Sequence, residues 1–287
     1  MTVGTVNISL ADSLSAMSGA LFGEPVAAQI HLILVEIRLP RILLAILVGA
    51  VLASTGAVMQ GLFRNPLADP SLIGVSSGAS VGASLMIVVA GGFVETGALM
   101  GLSLVAVGAF VGGFAATLLV YRLATSDIGT SVTTMLLAGI AIGALAGALN
   151  SLFSYFADND MLRQISLWQM GNLSGANWPK VSMMALVAVL LFSAFPRDSR
   201  ALNALLLGES EARHLGIDVQ RVKRRLIILT ALGVGLTVAL AGMVGFVGLI
   251  VPHVVRLLIG PDHRWLIPAS AVAGALLLVV ADSLARI

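Results

Sequence analysis

No cysteine occurs in the 287 residues, which excludes disulfides and thiolate metal centres but is silent about compartment. Charge is scarce as well. Asp, Glu, Lys and Arg make up 10% of the chain, against about 25% in a soluble domain. The 16 basic and 14 acidic residues nearly cancel, so no basic surplus points to nucleic acid. The first 30 residues lack a basic start followed by an apolar core, so no cleavable signal peptide is expected. What the chain does have is apolar residues, 58% of the total, and 31 glycines. That combination suits helices packed closely in a bilayer.

A membrane-crossing helix needs about 20 mainly apolar residues. Eight runs are candidates: 42–62, 72–92, 98–121, 134–153, 179–196, 226–243, 244–259 and 266–285. The seventh is short and edged by "AGMVGFVG" and "VPH", so a broken or half-length helix buried among others is expected there. The reading is an all-α, polytopic membrane protein with one transmembrane domain over residues 1–287. Residues 1–41 are read as an outer-side interfacial segment, and 197–225 as the one long polar connection.

If all eight runs cross, eleven basic residues fall on one side: Arg64, Arg122, Arg197, Arg200, Arg213, Arg221, Lys223, Arg224, Arg225, Arg256 and Arg264. Five fall on the other: Arg38, Arg41, Arg163, Lys180 and Arg286. The bias places the 197–225 connection in the cytoplasm. Most of the apolar runs contain no Asp, Glu, Lys, Arg or His; from Leu226 to Pro252, for example, there is none. Ion-coupled transporters usually carry buried ionisable groups, so this scarcity argues that the energy for transport enters from elsewhere.

Four motifs stand out. Gly74, Gly78 and Gly82 recur every fourth residue, and Gly139, Gly143 and Gly147 repeat the pattern 65 residues later. Such ladders strip side chains from one helix stripe and let backbones approach. Packing alone explains the spacing, and helices that slide in a transport cycle are the sharper alternative. Neither ladder leads into Gly-Lys-Ser/Thr, so a phosphate loop is not expected. "LGESEARHLG", Leu207 to Gly216, has the acids and the final base of a short helix aligned with its dipole. A solvated surface helix is the plainer account of it. "IRLPRILL" sets Arg38 and Arg41 around Pro40 on the sparsely basic side. There, interfacial snorkelling and docking of an acidic partner both fit. His253 beside Pro252 is expected to be a satisfied structural side chain. No pair of residues has metal-ligand spacing on one helix face, and no nucleophile, base and orienting partner assemble, so neither a metal site nor a catalytic site is expected.

Taken together, these stretches resemble a known family. "EIRLPRILLAILVGAVLASTGAVMQGLFRNPLADPSLIGVSSGASVG", "LLAGIAIGALAGAL", "GESEARHLGI" and "GFVGLIVPHVVRLLIGPDHRWLIPASAVAGALLLVVADSLAR" look like the permease subunit of bacterial ABC importers for iron–siderophores, haem and vitamin B12. The likeness covers nearly the whole chain from Glu36 onward. It implies an inner-membrane, multi-pass homodimer of permeases, two cytoplasmic ATPase subunits that bind ATP and Mg, and a periplasmic binding protein. The permease itself would bind no cofactor. Family members have about ten membrane helices. By that pattern the eight runs are helices two to nine, and the helix before "IRLPR" and the last helix are expected to be missing from these 287 residues.

The resemblance also implies roles. Arg38, Arg41 and Arg286 would bind acidic residues on the binding protein. Gly208, Glu209, Ala212, Arg213, Leu215 and Gly216 would form the coupling segment seated in the ATPase. Ser76 and Ser77, with Ser131, Thr133 and Thr134, would stand at the cytoplasmic gate. The stretches "GESEARHLGIDVQRVKRRL" and "GPDHRWLIPASA" are most similar to haem permeases. Haem is thus the expected cargo, with a ferric siderophore or cobalamin as alternatives and an ion-coupled transporter as the distant rival.

Overall fold

The computed structural model describes residues 32–89, 103–127 and 129–286, and within them ten α-helices carry almost all of the fold. A π-helical turn, Leu32–Arg38, runs directly into α1, Leu39–Leu62. After a 3-10 turn, Pro70–Ile73, come α2, Val75–Val89, and α3, Leu104–Leu123. A minimal antiparallel hairpin, β1 (Thr125–Ser126) and β2 (Gly129–Thr130), leads into α4, Val132–Phe156. Then follow α5 (Asn159–Gln169), α6 (Trp178–Leu207), α7 (Glu209–His214), α8 (Val219–Ala241), α9 (Val247–Ile259) and α10 (His263–Leu284).

Local chemistry sets most of the starts. Ser103, Ser131, Asp158, Asn177, Asp218 and Asp262 stand at N-caps, and each side chain accepts a bond from a first-turn backbone N–H. Gly216, at φ 80°, follows α7 in the left-handed region that a side chain disfavours, which stops the helix.

Among the described residues six helices are long and apolar enough to cross a bilayer: Leu32–Leu62, Leu104–Leu123, Val132–Phe156, Trp178–Leu207, Val219–Ala241 and His263–Leu284. The expectation of eight full crossings is therefore corrected. The runs 72–92 and 244–259 give α2, described over 15 residues, and α9 with 13. At about 1.5 Å per residue those described lengths fall short of the roughly 30 Å hydrocarbon layer. The ends of the second and third runs, at 90–92 and 98–102, lie outside the described residues, as does 1–31 of the interfacial segment. Residues 32–41 are helical and begin the first long helix. The 197–225 connection is also shorter than read. Pro196 sits inside α6 without ending it, and α8 begins at Val219, which leaves only Gly208–Asp218 between them. Asp198, buried on α6, is paired with Arg225 of α8, so charges that looked like loop residues brace two helices.

The core sits around α1. Leu44, Ala45, Val48, Val51, Ala53, Ala57, Val58 and Met59 are all essentially inaccessible. The helices α10, α9, α6 and α8 pack against it. Gly49 faces Gly274 and Gly56 faces Gly248 so closely that a methyl on either would strike backbone. The opposite extreme is α4, where Leu137, Ile140, Leu145 and Leu152 are exposed on the isolated chain.

Candidate functional sites

One end of the bundle is built around the Asp282 carboxylate. Asp282, near the end of α10, receives Arg41 from α1 through Nε and Nη2, with Oδ1 at 3.0 and 2.7 Å. Arg286 closes on its other oxygen, Nη2 to Oδ2 at 2.8 Å, and donates from Nε to the Asp282 carbonyl at 3.1 Å. Arg38 is buried close enough to Arg286 to feel its charge. The arginines read from the sequence are thus brought together, with Arg41 meeting a carboxylate 241 residues away that Arg286 also holds. Arg41 and Arg286 share one carboxylate, so the Arg41–Asp282–Arg286 group carries a net charge of one positive unit. Asp282 was missed, although it is the only acid in the run 266–285, and that isolation in an apolar run was the signal.

The opposite end carries the segment Gly208–Gly216, expected from the resemblance to be the coupling segment. Gly208 and Gly216 both have positive φ, 133° and 80°, and bracket α7. Ala212 is fully buried, and its carbonyl accepts from Ile217 N at 3.1 Å, which folds the segment back on α8. Leu215 is 64% exposed, and the Arg213 side chain is 59% exposed, so these two project outward. Glu209 does not. Its carboxylate meets Lys223 Nζ at 2.6 Å, and the same ammonium donates to the Thr130 carbonyl at 2.9 Å. Gln220, one turn earlier on α8, accepts from Thr130 N at 2.9 Å. Lys223, Gln220 and Thr130 were not foreseen. Lys223 is one of four bases in Arg221–Arg225, and nothing in the string distinguishes it.

The gate candidates fall at two helix starts. Ser131 caps α4, accepting from Thr134 N at 3.3 Å and from the Thr134 hydroxyl at 3.0 Å. Ser131, Thr133 and Thr134 are all exposed, while Ser76 and Ser77 are half-buried in the first turn of α2. Ser76 lines a cavity of about 280 Å³ with Asp69, Ser71, Met243 and Phe246. A second cavity of about 360 Å³, at the arginine end, is lined by Arg41, Asn172, Asp282 and again Met243. The non-helical stretch between α8 and α9 therefore borders both. Its last residue, Phe246, has φ 66°.

The two glycine ladders behave differently. A Cβ on Gly78 would collide with Gly112 O, and one on Gly82 with Gly108 O, so the partner is a matching ladder on α3 within "VGAFVGG". In the second ladder only Gly139 is crowded, by the Leu72 carbonyl, while Gly147 meets nothing within 4 Å. Gly74 has φ 81°, so it ends the 3-10 turn through backbone freedom rather than close packing.

A further polar cluster joins the C-terminal part of α6 to the start of α10. Asn203 of α6 accepts from His263 N at 2.9 Å and donates to Asp262 Oδ1 at 2.6 Å. The Arg264 backbone N–H and then the Asn203 amide hold the Asp262 carboxyl below the usual carboxylate range. Gln60 donates to Leu249 O at 3.0 Å and accepts from Arg256 at 3.1 Å. His253, expected to be satisfied, instead has a buried Nδ1 with no hydrogen-bond partner among the described residues.

Comparison with known proteins extends this picture. Residues 1–287 match the family model described as the FecCD transport family. The hemin transport system permease protein HmuU of Yersinia pestis is 45% identical over 251 residues, covering 88% of this chain and 74% of that one. The vitamin B12 import system permease protein BtuC of Salmonella typhi is 42% identical over 284 residues, covering 98% and 84%. Among solved structures, a metal-chelate type ABC transporter in an inward-facing conformation superposes with a TM-score of 0.81 at 31% identity, over 96% of this chain and 89% of that one.

Proposed function

The chain belongs to the FecCD transport family, a multi-pass membrane permease rather than an enzyme, and from that premise we propose that it is the membrane subunit of an ATP-driven importer that carries haem into the cytoplasm. The observation that carries the reading is the separation of two unlike sites. A basic cluster, Arg38, Arg41 and Arg286, stands at one end of the bundle. A short helix with exposed Arg213 and Leu215 stands at the other. Between Arg41 and Leu62, α1 alone spans about 30 Å. An energy source at one end and a delivery partner at the other need this arrangement.

In this reading the arginines receive acidic residues of a periplasmic binding protein, with steering that weakens as salt rises. The segment Gly208, Glu209, Ala212, Arg213, Leu215 and Gly216 meets one of two ATPase subunits, which hold ATP and Mg. The exposed apolar face of α4 meets a second copy of the chain, and the rest of the apolar surface meets lipid of the bacterial inner membrane. The pathway runs past Ser76, Ser77, Ser131, Thr133 and Thr134. ATP binding draws the coupling segments together, and the pathway opens to one side at a time, because each partner binds the two states with different affinity.

The likeness to the Yersinia hemin permease supports haem as the cargo, and the likeness to the B12 permeases keeps cobalamin as the alternative beside a ferric siderophore. The test is ATP-dependent uptake into proteoliposomes holding the permease, its ATPase and its binding protein, with the three cargoes offered separately. Accumulation of haem above the other two is expected. Accumulation of cobalamin or a siderophore alone would overturn the cargo, and uptake without ATP would overturn the class.

A further inference from the structure

We infer that Lys223 is a positioning residue that ties the coupling helix to the start of α4, so that α7 and the α4 N-terminus move as one body. The inference rests on the reading of α7 as the ATPase contact. Its ground is a single buried ammonium with two partners on separate elements. Lys223 is 2% exposed, and its Nζ donates to Glu209 Oε1 at 2.6 Å on α7 and to Thr130 O at 2.9 Å at the end of β2. Thr130 is held a second time, by Gln220 from the preceding turn of α8. The next residue, Ser131, caps α4. A continuous chain of hydrogen bonds therefore runs from α7 through the first turns of α8 into the backbone that sets where α4 begins.

The geometry reassigns Glu209. Its Oε1 is engaged by a buried ammonium while its Oε2 lies 3.9 Å from Arg213 Nη2, so Glu209 links the exposed Arg213 to Lys223. The outward contact is left to Arg213 and Leu215. A charge buried with two good partners is stiff, because moving either partner leaves the ammonium desolvated and unpaired. A displacement of α7 is therefore passed to Thr130 rather than absorbed between them.

The experiment compares Lys223→Met and Lys223→Arg in the complete complex with its ATPase and binding protein, reading ATP hydrolysis and cargo uptake side by side. Methionine keeps the apolar stem and removes the donors, while arginine keeps donors. Lys223→Met should still hydrolyse ATP but lose about fivefold or more in cargo moved per ATP, the lower end of coupling between sites. Lys223→Arg should recover most of that ratio. An unchanged ratio in Lys223→Met overturns the inference, and so does a parallel fall of hydrolysis and uptake, which marks a merely structural role. If Lys223→Met does not assemble, Gln220→Leu is read by the same ratio, since it removes only the second hold on Thr130. A reduced ratio supports the tie and an unchanged one overturns it. Failure of the unsubstituted complex to take up any cargo with ATP would sink the importer reading itself, and the tie with it.

Discussion

The substitution Gly82→Ala puts the packing of α2 against α3 to a direct test. A Cβ built on Gly82 stands 2.7 Å from the carbonyl carbon of Gly108 and closer still to its oxygen. Carbon contacts settle at roughly 3.5–4.0 Å, so α2 must retreat from α3 by about 1 Å. Both obstacles are backbone, and no rotamer change relieves them. A gap of that size forfeits about a quarter to a half of each contact along the seam, where Gly78 and Gly112 are equally close. Overpacking of this kind costs about 1–3 kcal/mol, and the rigid obstacle argues for the top of that range. Replacing a mid-helix glycine restores about 1 kcal/mol, for a net loss of about 2 kcal/mol. Gly147→Ala is the matched control, because nothing lies within 4 Å of its position. It should gain about 1 kcal/mol, so the two variants separate by about 3 kcal/mol. The assay is unfolding in mixed micelles that hold the chain as a monomer, with helix content read by circular dichroism. Gly82→Ala as stable as Gly147→Ala would refute the close-packing argument.

Two further outcomes follow from the described geometry. Asp282→Asn removes the carboxylate that Arg41 and Arg286 share. Breaking a buried pair costs about 3–5 kcal/mol, and partial exposure of the arginines reduces this to about 2 kcal/mol. The unfolding midpoint should therefore fall at low salt and recover in part at high salt, and a midpoint unchanged at low salt would exclude the clamp. Phe246→Gly removes a side chain from a left-handed backbone position where the ring is 71% exposed. Stability should rise by about 1 kcal/mol in the monomer, and a fall in the same micelle assay would show that the ring packs.

Much of this was legible in the string because lipid demands long apolar runs, and because ladders and arginine placement are simple signals. The trio Arg38, Arg41 and Arg286 was placed on one side by counting bases, and the fold brings all three together. Length was the weaker guide. Runs 72–92 and 244–259 counted as crossings, but Gly74 and Phe246 sit at left-handed φ and begin their helices late. At Pro196 the opposite error arose. A proline and the charges after it resemble a loop, yet α6 continues because Asp198 finds Arg225 and Ser199 bonds back to Pro196 O. The amphipathic α5 went unread because its 11 residues span no membrane. The partner ladder Gly108–Gly112 was readable by the rule that found Gly78–Gly82. Lys223 was not, since only the fold separates it from its basic neighbours.

The stretch Gly242 to Phe246 fixes one more thing. It is five residues without helix, and among the described residues its backbone bonds cluster at the two ends. Gly242 N reaches back to Val238 O, Met243 N reaches Trp168 O at 3.4 Å, Gly245 O accepts from Val247 N, and Phe246 O accepts from Leu249 N and Ile250 N. Gly245 and Phe246 are open on the isolated chain. Uncommitted peptide groups cannot face hydrocarbon, where each costs several kcal/mol. Protein or water must therefore stand against this side of the bundle. The break thus acts as a compass mark, setting the azimuth of the chain about the membrane normal: this flank turns away from lipid, and the leucine-rich flanks of α6 and α10 turn toward it.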